Sequence, residues 1–178
     1  LTYLREKVDG VWTETSFRTT RAEVTRYAAG FMALGLAKGE KTALLSEGRN
    51  AWIFTELGIL FAGGVNVPMS VKLESDHDLS FRINHSDSRF VVVSEGQLGK
   101  IRRVREQCPT VEKVIIMDDV PLQEGEMLLS ELCAMGDRFL EEHPGELEAR
   151  MATIGPDDYA NISYTSGTTA DPKGILLT

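Results

Sequence analysis

Apolar positions in this chain change period several times, and each change marks an element. Asp9-Gly10 separates two stretches of mixed alternation, the usual sign of a tight hairpin turn. Thr20 and Glu23 form a capping-box pattern that predicts a helix start there. Val24, Tyr27, Ala28 and Phe31 then recur at helical spacing, with Gly35 or Gly39 as the stop. Beyond Gly39 short apolar runs alternate with helical patterns. Residues 42–45 read as a buried strand, and Asn50 is expected to cap a helix over 51–62 that Gly63-Gly64 ends. That helix is apolar on most sides (Trp52, Ile53, Phe54, Leu57, Leu60, Phe61), so it should be buried. Strands follow at 65–67, 90–93 and 114–117, separated by helices over 78–84 and 97–106.

Strands separated by helices of this length predict an α/β chain whose sheet is parallel and covered on both faces. Residues 118–155 change character. They are acidic and mixed, with helical patches at 128–135 and 138–142 and turns at Pro121 and Pro144-Gly145, and they read as a surface excursion. The strands expected over 160–164 and 174–177 read as part of a second sheet, left incomplete.

Composition narrows the function classes. The 178 residues are 42% hydrophobic and 26% charged, ordinary for one globular domain. A net charge of −8 repels phosphate backbones and argues against a nucleic-acid surface. No apolar run reaches the roughly 20 residues of a membrane helix, which leaves only peripheral membrane contact open. Cys108 and Cys133 have neither CxxC nor metal-ligand spacing and read as reduced thiols of a cytoplasmic protein. His77, His85 and His143 lack ligand spacing, so no metal site is expected. Asp118-Asp119 and Glu141-Glu142 read as solvated faces or caps. The chain opens on Leu1 and stops four residues beyond Gly174, which reads as a trimmed piece of a longer polypeptide.

The concentrated chemistry lies at residues 164–174. Tyr164-Thr165-Ser166-Gly167-Thr168-Thr169-Ala170-Asp171-Pro172-Lys173-Gly174 carries four small hydroxyls, two glycines and a lysine. Hydroxyls of Thr165, Ser166, Thr168 and Thr169 can each donate to a phosphate oxygen. Gly167 lets backbone amides approach an anion closely, and Lys173 adds a compact positive charge. In so acidic a chain, ATP would need that lysine and a divalent cation. Composition alone also fits a solvated connector, and neither GxxxxGK[ST] nor GxGxxG is present.

Read in order, the segment closely resembles the signature YTSGTTGxPKG of the AMP-forming acyl-CoA synthetases, matching every specified position except Ala170, where glycine is usual. Asp157-Asp158-Tyr159-Ala160-Asn161-Ile162-Ser163 resembles the strand that enters the loop in that family. Further likeness lies in Ala43-Leu44-Leu45-Ser46 with Asn50-Ala51-Trp52, and in Phe61-Ala62-Gly63-Gly64-Val65-Asn66-Val67-Pro68. The early hairpin and Ser46-Glu47-Gly48-Arg49 are most similar to long-chain fatty acid–CoA ligases. Ala170 bears on loop mobility, since a non-glycine residue resists positive φ.

The resemblance implies an incomplete flavodoxin-like three-layer α/β/α sheet: residues 1–178 would be the N-terminal part of an AMP-binding domain. It also implies a parent enzyme that uses ATP with Mg2+ to make a fatty acyl-adenylate and then passes the acyl group to CoA. Thr165, Ser166, Gly167, Thr168, Thr169 and Lys173 would cradle the β- and γ-phosphates, with Lys173 acting in catalysis. Another adenylate former, such as an aryl-CoA ligase or amino-acid-activating domain, carries the same loop, and a non-catalytic nucleotide-binding module is the reading from another class. The family's later adenine, ribose and metal motifs have no counterpart within these residues. The chain by itself is therefore expected to give only background ATP–pyrophosphate exchange, and exchange well above a no-protein control would contradict this.

Overall fold

The computed structural model describes residues 1–165 and 171–178. Strands β1 (Thr2–Val8) and β2 (Val11–Ser16) pair antiparallel with Val8 opposite Val11. Asp9 and Gly10 between them take φ of 49° and 82°, the positive values that a two-residue type I′ turn requires. Helix α1 (Phe17–Ala33) begins one turn earlier than the Thr20/Glu23 pattern predicts. Ser16 is the cap, its Oγ accepting from Thr19 N at 3.1 Å, while Thr20 is buried in the helix and Glu23 pairs with Arg26. Gly35, at φ 93°, closes α1, and Leu36 N donates back to Phe31 O at 2.9 Å.

The main sheet contains β3 (Lys41–Leu45), β4 (Val65–Pro68), β5 (Ser88–Val93), β6 (Lys113–Ile116), β7 (Glu126–Leu128), β8 (Asn161–Thr165) and β9 (Lys173–Leu177). Helices α2 (Asn50–Phe61), α3 (Asp76–His85), α4 (Glu95–Val104), α5 (Leu129–Glu142) and α6 (Glu146–Met151) complete the chain. Asn50 is the first residue of α2, not its cap, and its side-chain amide donates to Thr15 Oγ1 at 3.1 Å.

Strand order is β7-β6-β5-β3-β4-β8-β9, all pairs parallel except β8–β9. The first five parallel strands thus follow the flavodoxin-like order, with chain reversal between β3 and β5. Alternate residues of β3, β5 and β6 enter opposite cores. Leu44, Val92 and Ile115 face α1, α2 and α5; Ala43, Leu45, Val91, Val93 and Ile116 face α3 and α4. The fold is therefore three-layered, as expected.

Two further expectations are corrected. Residues 118–155 are not a surface excursion: β7 extends the sheet, and α5 packs on α1 with Leu132 fully buried. Gly136 and Asp137 broke the helical pattern in the sequence because this is where the helices meet. A Cβ on Gly136 would fall on the carbonyl oxygen of Arg26, and one on Gly30 would fall on that of Leu132. Beside the crossing, Arg26 grips Asp137 through Nε and Nη2 at 2.7 and 2.8 Å. Helix α6 works as a strut, with Arg150 donating to Leu36 O and Ala62 O at 3.1 and 3.0 Å.

The second correction concerns β8 and β9, which belong to the one sheet and not to a separate one. Asn66 pairs with Asn161, and Asn66 N donates to Ala160 O at 2.9 Å. The edge of β4 away from β3 has unsatisfied backbone groups, and β8 satisfies them.

Two outcomes test this packing. Gly136→Ala should destabilise the fold by about 1–3 kcal/mol, since the neighbouring atoms are backbone and cannot yield, whereas Gly99→Ala, with open space around it, should not; urea melts would compare them. The second concerns Glu126, whose carboxyl is held below the usual range by hydrogen bonding from Arg102. A lowered folded value means that this stabilisation is present above the unfolded value of about 4.3 and is lost as the pH falls below it and through the lower folded value. The advantage of the wild type over Glu126→Gln in thermal melts should thus be present at about pH 6–7 and shrink towards about pH 3.

Candidate functional site

The candidate site forms where β8 ends and β9 begins. The antiparallel register places Thr165 opposite Lys173, Tyr164 opposite Gly174 and Ser163 opposite Ile175. Residues opposite one another in such a ladder share a face. Thr165 and Lys173 thus stand side by side, both exposed, at the carboxyl end of a strand parallel to β4. Ligands of open α/β sheets bind beyond the carboxyl ends of the strands, and the rung lies at such an end, though away from the reversal point between β3 and β5. Sequence reading named eight residues apart in the chain, and the fold brings them together. Ser166, Gly167, Thr168 and Thr169, and with them the question raised by Ala170, lie outside the described residues.

Behind this rung, on the opposite face, lies Tyr164. Its ring crosses Gly174, where an added Cβ would stand 3.0 Å from Ile162 Cγ2 and 3.4 Å from the ring. Its hydroxyl lies 2.8 Å from His85 Nδ1 and approaches Arg82 O at 3.4 Å. The Arg82 guanidinium sits 5.8 Å from the ring centroid, an arrangement favoured by the ring quadrupole. Burial pushes the Tyr164 phenol above its ordinary range, so it is a neutral hydrogen-bonding group. No sequence signal marked His85 as a partner, because 79 residues separate it from Tyr164.

The approach to β8 is also braced. Lys38 Nζ reaches Thr153 O at 2.6 Å and Asp158 at 2.7 Å, and Asp158 in turn accepts from Gly155 N. On the face shared with Thr165, Ser163 donates to Asn161 at 2.8 Å, and Asn66 donates to Glu56 at 3.1 Å. The Asn66 Oδ1 is buried and has no partner among the described residues.

A second polar cluster, which the sequence did not reveal, fills the reversal point between β3 and β5. Glu47 accepts from Ser94 and Gln97, each at 2.6 Å, and these bonds hold its carboxyl below the usual range. Asp118, read as a solvated face or cap, does cap α4 by accepting from Glu95 N, and it also binds Arg49 at 2.7 Å. Most of these polar groups are occupied with one another, although the Gln97 Oε1 is buried and has no partner among the described residues, whereas Thr165 and Lys173 are exposed.

Other nucleophile and metal candidates recede. Cys108 and Cys133 are free and buried, and burial raises both thiols, Cys133 to about 11. Among the described residues no cluster of three or more His, Cys, Asp or Glu side chains could hold a metal ion. Nor is any described helix long and apolar enough to cross a membrane.

The chain resembles known proteins over nearly all its length. It is 30% identical to 4-hydroxybutyrate–CoA ligase 2 of Metallosphaera sedula, over 98% of this chain and 32% of that protein. It is 29% identical to the long-chain-fatty-acid–CoA ligase ACSBG1 of Mus musculus, over 93% of this chain and 23% of that protein. The chain thus spans about a quarter to a third of these relatives' length. Among solved structures, a Mycobacterium tuberculosis fatty acyl CoA synthetase superposes with a TM-score of 0.74 at 26% identity, over 93% of this chain and 30% of that one. The model of the family described as AMP-binding enzyme matches residues 3–178, and the chain belongs to that family.

Proposed function

We propose that this chain is the N-terminal part of the AMP-binding domain of an acyl-CoA ligase, and that residues 164–174 grip the polyphosphate of ATP. The parent enzyme would join a carboxylic acid to AMP, release pyrophosphate, and transfer the acyl group to the thiol of CoA. The observation that carries the reading is the Thr165–Lys173 rung, which presents a hydroxyl and an ammonium side by side at the carboxyl end of β8.

The chemistry fits that pair. When the carboxylate oxygen attacks the α-phosphorus, the bond to the bridging oxygen breaks and negative charge gathers on the departing pyrophosphate. A fixed ammonium at Lys173 favours that state over the bound ground state, and Thr165 adds one directed donor. Ser166, Gly167, Thr168 and Thr169 would supply the remaining hydroxyls and close backbone amides. Magnesium would arrive on the phosphate oxygens of ATP and share their charge; no residue of this chain is assigned to it. The two unpaired thiols suit a reducing, cytoplasmic setting.

For the acid, a long-chain fatty acid is the proposed class, supported by the name of the mouse relative. The Metallosphaera relative is named for a short hydroxy acid, which favours a second reading at similar identity. Comparing fatty acids of graded length with 4-hydroxybutyrate on the parent enzyme separates the two. The proposal for the loop is tested by Lys173→Ala in that enzyme. Acyl-adenylate formation should fall by about 10²-fold or more, while thioester formation from supplied adenylate should fall much less. Equal losses in the two half-reactions would refute a role on pyrophosphate.

A further inference from the structure

We propose that His85 is a positioning residue for the Thr165–Lys173 rung: acting through Tyr164, it fixes the strand end that presents this pair. This deepens, and rests on, the reading of that rung as a polyphosphate grip.

The argument begins with how loosely the sheet itself holds the ribbon of β8 and β9. Strands β3 and β5 share five register pairs, but β8 meets β4 at the single pair Asn66–Asn161. Beyond that rung, β8 is held to the body of the sheet by side chains, Ile162 in the core and then Tyr164. Thr165 lies four residues beyond that rung and one residue beyond Tyr164. Tyr164 is the last of these anchors before Thr165, so what holds it bears most directly on the direction of the rung.

Tyr164 is held from two sides. Across the ladder, Gly174 removes the side chain that would displace its ring. From α3, His85 Nδ1 meets its hydroxyl at 2.8 Å, the two rings lying edge to face with centroids 5.8 Å apart. Helix α3 is a firm base, since Leu79 and Ile83 are buried in the core and Asp76 accepts from Arg103 at 2.9 Å. Phe81 stacks on the His85 imidazole at 5.2 Å and limits its rotation. His85 lies across the sheet from Lys173, because Tyr164 and Thr165 point to opposite faces. It cannot touch a phosphate held by the rung, which makes it a positioning group and not a catalytic residue.

Calorimetric titration of inorganic tripolyphosphate into the 178-residue chain tests the proposal, with thermal melts recorded for every variant. His85→Ala and Tyr164→Phe should each weaken binding about fivefold, the scale of one hydrogen bond. The double variant should also lose about fivefold and not about 25-fold, because both changes cut the same link. His85→Asn, whose side-chain oxygen stands near the place of Nδ1, should return affinity to within about twofold of wild type. Lys173→Ala reports on the grip itself. If it weakens binding while His85→Ala and Tyr164→Phe do not, the grip stands and the positioning role falls. Additive losses would show His85 acting by some route other than Tyr164 and would overturn the proposal. Failure of the unaltered chain to bind tripolyphosphate, or indifference of binding to Lys173→Ala, would remove the grip and the positioning role together.

Discussion

The attachment of a two-stranded ribbon to the edge of a parallel sheet is the constraint on which the candidate site depends. Asn66 occupies the joint. Its backbone pairs with the start of β8, and its side chain, fully buried, reaches Glu56 on α2. An asparagine in a central strand carries a desolvation cost that an apolar residue would avoid. What it secures is the orientation of the ribbon: β8 runs parallel to β4, so its carboxyl end, and the loop that follows, emerge on the side where such sheets expose ligand-binding crevices. An antiparallel attachment would have delivered Thr165 and Lys173 to the other end.

The layers beneath serve the same purpose. Strands β3, β5 and β6 send alternate residues into two separate cores, so the centre of the sheet is clamped on both faces. Helix α5 reaches α1 closely enough that only glycine fits at the crossing. Arg150 and Lys38 then tie the segment before β8 to the carbonyl groups at the ends of neighbouring elements. The long connection from β7 to β8 is thus fixed along its length by packing and by donors aimed at orphan carbonyls.

How much of this was legible in the sequence follows from the range of each interaction. The hairpin and the run of strands and helices were readable, because periodicity and Asp-Gly or Gly-Gly punctuation are local, while the flavodoxin-like class followed from the family resemblance. The site rung was half readable: Thr165 and Lys173 were marked by a motif, but their being neighbours is a property of the ladder. Helix α5 was missed as one element because Gly136 carries a low helical propensity, and its reason for being there lies 110 residues away at Arg26. Likewise Ser16 and Thr20 are both capable caps, and burial of Thr20 decided between them. The His85–Tyr164 bond and the Glu47–Ser94–Gln97 cluster had no local signature at all.

The sequestration of both native thiols has a practical consequence. Cys108 and Cys133 sit within the core with their proton loss suppressed, so electrophiles reach them slowly. A cysteine introduced at Asp171, an exposed position two residues before Lys173, would be the one thiol open to maleimide chemistry in the folded chain. The protein is in effect already prepared for a single fluorophore or spin probe beside its loop, without removal of any natural side chain from its interior.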